Sequence, residues 1–126
     1  MNSSQKKISS FTDLHAWQKG HESVLHIYRI TVTFPKEEMY ALTSQLRRAI
    51  TSVTANIAEG FGRRTYKDKV HFYYQANGSL LETKNFIIVA RDLGYIDIKQ
   101  YEDILKLLEQ THKLLQGLIR KTNSNI

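Results

Sequence analysis

The chain contains a single proline, Pro35, and only six glycines among its 126 residues. So few punctuating residues leave little room for turns, and the sequence must fold into few and long elements. Between the breaks, apolar residues recur at steps of three and four, the helical period. From Asp13 to about Thr33 the stripe is Leu14, Trp17, Val24, Leu25, Tyr28 and Val32, with Asp13 as candidate N-cap and His21 inside the stripe as a packed histidine. Pro35 then disfavours helix at Phe34, and Glu37 and Glu38 suit the positive end of a second helix from about residue 37 to 61. "EGFGRR" stops it. Thr65 with Asp68 has the form of a capping box for a third helix, Gly94 in "DLGY" is a natural C-terminal cap, and Asp97 can cap a fourth. Four long amphipathic helices with short connections predict an all-α, antiparallel up-down-up-down bundle over residues 11–122. Residues 1–10 are expected to be mobile and 123–126 to form a tail.

The third helix differs from the others. Between Val70 and Ala90 only Glu82 and Lys84 carry a formal charge. One face holds Val70, Tyr74, Leu81 and Ile88, and the opposite face Phe72, Thr83, Phe86 and Ala90. A helix apolar on opposite sides needs two partners, and one bundle buries one broad face. A wide core stripe with some exposed aromatics is the simpler alternative. The favoured reading makes Phe72, Thr83, Phe86 and Ala90 an oligomer interface, because exposed phenylalanines form an apolar patch.

The second helix carries an ordered polar stripe beside its apolar one: Gln45, Arg48, Ser52, Asn56, Glu59 and Arg63. Gly78, Glu82 and Asn85 share a strip of the third helix that can face it. A ladder of this kind satisfies its own members and fixes register between helices. The favoured role is a structural network at a bundle or subunit contact. A ligand or nucleic-acid site is the alternative.

Catalytic motifs are nearly absent. "HESVLH" misses the zinc motif, because His26 lies five residues after His21, about 140° around the helix. His15 and His26 align but stand about 16 Å apart, too far for one metal. No Walker lysine pattern follows "EGFGRR", and the Glu-x-x-His pairs of di-metal bundles do not occur. With no cysteine, disulfides, zinc–thiolate sites and thiol catalysis are excluded, and a reducing compartment is expected. "MNSSQKKISS" has no apolar run of a signal peptide, and no apolar stretch of about 18 residues is present to span a membrane. The expectation is a cytoplasmic, non-enzymatic protein with no metal and no cofactor.

Charge points elsewhere. The formal balance is +6 with a pI of about 9.6, which favours anionic partners. Arg63, Arg64, Lys67 and Lys69 cluster at the turn between the second and third helices, with Tyr66 among them as a stacking residue. Arg47 and Arg48 add charge about four turns earlier. As phosphate contacts these residues predict salt-sensitive, largely sequence-independent binding of RNA or DNA; the equal alternative is a solvated helix start with Arg residues paired to Glu59 or Glu82.

The stretches "FTDLHAWQKGHE", "FPKEEMYALTSQLRRAITSVTANIAEGFGRR", "NGSLLET" and "LGYI" resemble the four-helix bundle proteins often called 23S ribosomal RNA intervening-sequence proteins. The resemblance covers residues 11 to about 121, and L-x-x-Q-L-R-R-A, N-I-A-E-G and G-S-L-x-E are its specific motifs. The accessory variability determinant of diversity-generating retroelements, which works with a reverse transcriptase, is a more distant relative. The resemblance implies a left-handed bundle assembled as a ring-like homopentamer, a positively charged surface for nucleic acid, and no enzymatic activity. It carries over Gln45, Arg47, Arg48, Ser52, Asn56, Glu59, Gly60, Arg63, Gly78, Ser79 and Glu82 as motif positions. Thr54 stands where the family pattern has proline, and Asn77 where a small residue is usual; Asn77 must find a hydrogen-bond partner. The expected function is an oligomeric nucleic-acid-binding scaffold for RNA or an RNA–protein complex. The alternative is an interaction module docking a partner such as a reverse transcriptase or ribonucleoprotein.

Overall fold

The computed structural model describes residues 7–126. Four helices account for most of them: α1 His15–Thr31, α2 Leu42–Phe61, α3 Tyr66–Asp92 and α4 Ile98–Asn123. Single 3-10 turns at Phe11–Asp13 and Lys36–Glu38 precede α1 and α2, and no strand occurs among the described residues. The all-α four-helix bundle expected from the periodicity is the fold. None of the helices among these residues is long and apolar enough to cross a membrane.

Local chemistry explains most of the boundaries. Thr65 Oγ1 accepts the Asp68 N–H at 3.1 Å at the start of α3. Asp97 and Gln100 close a reciprocal box at the start of α4: the Gln100 N–H donates to Asp97 Oδ1 at 2.7 Å and the Asp97 N–H to Gln100 Oε1 at 2.9 Å. Beyond α3, Gly94 takes φ +79°, a conformation that costs residues with a Cβ. The Tyr95 N–H then reaches Ala90 O at 2.9 Å and the Gly94 N–H reaches Arg91 O at 3.0 Å, satisfying carbonyls that the helix leaves open.

Two expected starts move. Asp13 does not cap α1. Its carboxylate accepts the N–H groups of Ser9 and Ser10, each at 3.0 Å, and closes the first 3-10 turn with Ser10 as its cap. Ser9 and Ser10, expected in the mobile segment, are therefore tied to Asp13; residues 1–6 lie outside the described residues. α2 begins at Leu42 rather than near residue 37, because Pro35 opens a 3-10 turn and Ala41, at φ −125° and ψ −107°, interrupts the path into the helix. α4 runs through Asn123, one residue into the expected tail.

Each helix has two neighbours. Ser52 meets Ser79 between α2 and α3, Lys84 meets His112 and Tyr74 meets Asn123 between α3 and α4, Ser23 meets Thr111 between α1 and α4, and Arg47 meets Thr31 between α1 and α2. Ile27, Leu46, Ile50, Ile57, Leu80, Ile87, Ile104, Leu108 and Leu115 fill the centre. His21 is not packed there: it is exposed, with its ring stacked on Trp17 at 4.8 Å. The two loops that precede α2 and follow α3 also touch. Tyr95 donates its hydroxyl to Glu38 Oε2 at 2.8 Å, and its ring packs against Phe34 at 5.5 Å between centroids. Glu38 Oε1 in turn accepts the Leu42 N–H at 3.4 Å.

α3 buries one stripe: Val70, Tyr73, Ala76, Leu80, Thr83, Ile87 and Ala90. Thr83 and Ala90 are 0% exposed, so they belong to the core of this chain and not to an oligomer interface. Phe86 packs against the core, and Phe72 lies under the Arg63 guanidinium at 4.5 Å. The apolar surface that α3 leaves exposed is Tyr74, Leu81, Ile88 and Val89. The core stripe runs between the two faces read from the sequence and takes residues from both. Asn77 does not find the partner it requires: its Oδ1 is buried without a hydrogen bond. An unpaired buried acceptor costs about 1–3 kcal/mol.

One partly buried contact makes stability depend on pH. Lys84 Nζ donates to His112 Nδ1 at 3.3 Å, which requires a neutral imidazole. Burial, with the Lys84 charge second, holds the His112 pKa below its ordinary 6.5. The unfolded chain therefore binds this proton more readily, and the stability from neutral His112 is present above pH 6.5 and lost as pH falls through the lowered folded value. Urea midpoints should fall between pH 7.5 and pH 5, and His112→Gln should flatten that slope. An unchanged slope in the variant would show that His112 is not its source.

Candidate nucleic-acid interface

The six basic residues singled out from the sequence separate into two groups along α2. Arg47 and Arg48 lie in its second turn, and Arg63, Arg64, Lys67 and Lys69 surround its far end. From Arg48 to Arg63 the helix rise gives about 22 Å.

Three of the six are held by the protein. Arg47 Nε donates to Thr31 Oγ1 at 2.9 Å, and its guanidinium lies over the Tyr28 ring at 4.7 Å. Arg63 pairs with Glu59 Oε2 at 3.4 Å and covers Phe72. Both partners of that pair are about half exposed, so it contributes little to stability. Lys69 Nζ donates to Phe61 O at 2.6 Å, placing a cation at the negative end of α2 where open carbonyls attract it. These contacts fix geometry and use up donors. Arg48, Arg64 and Lys67 are exposed and make no hydrogen bond or ion pair with any described residue. Tyr66 stands half-exposed between Arg64 and Lys67.

The polar ladder crosses from α2 to α3 only in its middle. Ser52 Oγ and Ser79 Oγ lie 2.9 Å apart, and Asn56 Nδ2 donates to Ser52 O at 2.9 Å and to Ser52 Oγ at 3.1 Å. It is Ser79, rather than Gly78 or Asn85, that α3 turns toward the ladder; Gly78 and Asn85 are exposed. At the upper end Gln45, Arg48, Glu82 and Phe86 line a polar recess of about 230 Å³, and Arg48 and Glu82 form no ion pair across it. The ladder thus stitches α2 to α3 at its centre, closes on the Glu59–Arg63 pair at one end and leaves the other end open.

Arg48 also borders a larger groove of about 490 Å³ at the start of α2, walled by Tyr28, Met39, Tyr40, Thr43 and Ser44. These residues escape the sequence reading because a helix started at residue 37 would absorb Met39 and Tyr40 into regular structure. The pattern "EEMYAL", two large side chains ahead of an uncapped helix, is the trace they leave in the sequence. Elsewhere no three His, Asp or Glu side chains among the described residues converge as a metal site.

Over residues 12–117 the chain matches the family described as 23S rRNA-intervening sequence protein. In fold it is similar to the crystal structure of a protein with unknown function from the S23 ribosomal protein family of Bacteroides thetaiotaomicron VPI-5482, with a TM-score of 0.74 and 25% identity. That similarity covers 82% of this chain and 97% of the other. No curated protein matches the chain. The matched segment runs from the first 3-10 turn into α4 and contains both basic groups and the polar seam. The chain belongs to the 23S rRNA-intervening sequence protein family.

Proposed function

We propose that this protein is a non-enzymatic, oligomeric scaffold that binds nucleic acid, with RNA or an RNA–protein complex as its partner. The observation that carries this reading is the pair Arg64, on the turn after α2, and Lys67, in the first turn of α3: two exposed cations with no carboxylate partner and an exposed tyrosine between them. Unpaired cations on a rigid turn suit phosphate, because no internal ion pair has to break first. The family's description, which names ribosomal RNA, agrees with it.

Assembly is the second part of the proposal. The contacts Tyr74–Asn123, Lys84–His112 and Arg91–Tyr101 along α3 and α4 support an up-down-up-down order, left-handed as the resemblance implies. Tyr74, Leu81 and Ile88 stand seven residues apart on the outside of α3 and form the seam along which copies meet. Five subunits is the number the resemblance implies. Repeating one weak phosphate contact around a ring raises affinity through effective concentration.

The double variant Arg64→Ala, Lys67→Ala tests the reading. Binding to RNA should fall for all sequences alike, and the slope of log affinity against log salt should drop by about 1.8 for duplex, roughly 0.9 for each phosphate no longer neutralised. If the intact protein binds neither structured RNA, single strands nor duplex DNA at about 50 mM salt, the scaffold reading fails and the outer face of α3 is better read as docking a protein partner.

A further inference from the structure

We propose that the groove at the start of α2 holds one unpaired nucleotide of a single-stranded nucleic acid, its base on the Tyr40 ring and its phosphate at Arg48. This rests on the nucleic-acid reading above and names the form of ligand it takes. Four observations converge on the groove.

Tyr40 is 97% exposed, an aromatic face held in water. The backbone on either side of it is nevertheless tied down. The Met39 N–H bonds Lys36 O at 3.1 Å, the Ala41 N–H bonds Glu38 O at 3.0 Å, and Glu38 is fixed by Tyr95 at 2.8 Å. A ring presented on an ordered turn loses little freedom when a base stacks on it.

Charge is arranged for a phosphate beside that ring. Arg48 makes no hydrogen bond or ion pair with any described residue, and Arg47, which also lines the groove, is locked against Thr31 and Tyr28. No carboxylate lines the groove; Glu38, the nearest acidic residue in sequence, spends both oxygens on Tyr95 and Leu42.

Hydroxyls complete the wall. Thr43 borders the groove and is only 1% exposed, yet its hydroxyl makes no hydrogen bond with any described residue. The other helical threonines bond a helix carbonyl: Thr31, Thr51, Thr83, Thr111 and Thr122 the one four residues back, and Thr54 the one three back. The Ser44 hydroxyl likewise bonds none of the described residues.

Size and shape choose the ligand. A volume of about 490 Å³ lies within the range of small-ligand sites, roughly 300–1,000 Å³. The groove opens to solvent along one side, so a polymer can enter and leave it. A duplex keeps its bases stacked on one another and cannot offer one to Tyr40, whereas a single strand can.

The experiment measures anisotropy of a labelled single-stranded oligouridylate and of a duplex of the same phosphate number, using the full chain. Tyr40→Ala should weaken single-strand binding about tenfold, within the span of base–aromatic stacking, and leave duplex binding within about twofold. Tyr40→Phe should bind like the parent, since it keeps the ring. Arg48→Gln should weaken both ligands and lower the salt dependence. Equal single-strand affinity for Tyr40→Ala and the parent overturns the inference while leaving the scaffold reading intact, as does an equal loss for both ligands. A parent protein that binds neither ligand overturns both. Tyr40 lies outside the core, and an unchanged thermal midpoint for Tyr40→Ala excludes misfolding as the cause.

Discussion

Gly60→Ala should destabilise this protein by about 2–3 kcal/mol, the upper range for forcing one extra carbon into a packed interior. A Cβ at position 60 would stand 2.7 Å from Cε1 and 2.9 Å from Cδ1 of Tyr73, and 3.0 Å from the backbone oxygen of Lys69. None of these atoms can retreat cheaply. The Tyr73 ring is buried, deeply enough that burial pushes its phenol pKa up to about 12, and Lys69 is anchored by its ammonium to Phe61 O. Thermal unfolding followed by circular dichroism should show a drop in Tm of roughly 10 °C. Gly78→Ala supplies the contrast. Its Cβ would meet nothing within 4 Å, so the helical gain of about 0.5–1 kcal/mol over glycine should appear instead. Equal effects at the two glycines would show that the α2–α3 approach is not the constraint.

The second large effect concerns assembly. Changing Leu81 and Ile88 together to glutamate should convert the proposed oligomer to monomer at about 10 µM while leaving helical content unchanged, because both side chains are exposed outside the core. Each apolar side chain buried by a neighbouring copy contributes about 1–2 kcal/mol, and an unpaired carboxylate brought to the same place costs several. Light scattering decides the matter. Either a monomeric parent or a doubly substituted protein that stays assembled removes this face from the proposal. Phe72→Glu makes a useful comparison: it lies against Arg63 within one chain, so its effect should fall on local structure more than on assembly.

What could be read from the sequence was local. The caps at Thr65, Asp97 and Gly94 depend on a few neighbouring residues, and each lies where the sequence places it. Asp13 shows how little margin such rules have: the same acidic residue serves as the third position of a box one turn earlier. α3 resisted reading for a different reason. Its apolar residues surround the helix, so periodicity cannot say which side faces inward, and only the positions of α2 and α4 select the stripe containing Thr83 and Ala90. The candidate site divides in the same way. Basic residues were visible as a cluster, but which of them are spent on Thr31, Glu59 and Phe61 depends on contacts between elements. Gly60 was legible as part of the stop that ends α2; it lies inside that helix, where a Cβ would meet the Tyr73 ring of α3.

The hydrogen bond from Tyr95 to Glu38 joins positions 57 residues apart, and it makes two turns into one thermodynamic unit. Helix ends ordinarily open independently and at low free energy. Here the end of α3 and the start of α2 share a closing contact, so opening either one loosens the other. Amide exchange at Met39 and Ala41 should therefore track exchange at Gly94 and Tyr95. The wall that carries Tyr40 thus takes its rigidity from a turn outside this groove, and that turn depends on a glycine at φ +79°. A side chain placed at Gly94 would be felt first as a softer groove at the other loop, at a distance from the substitution itself.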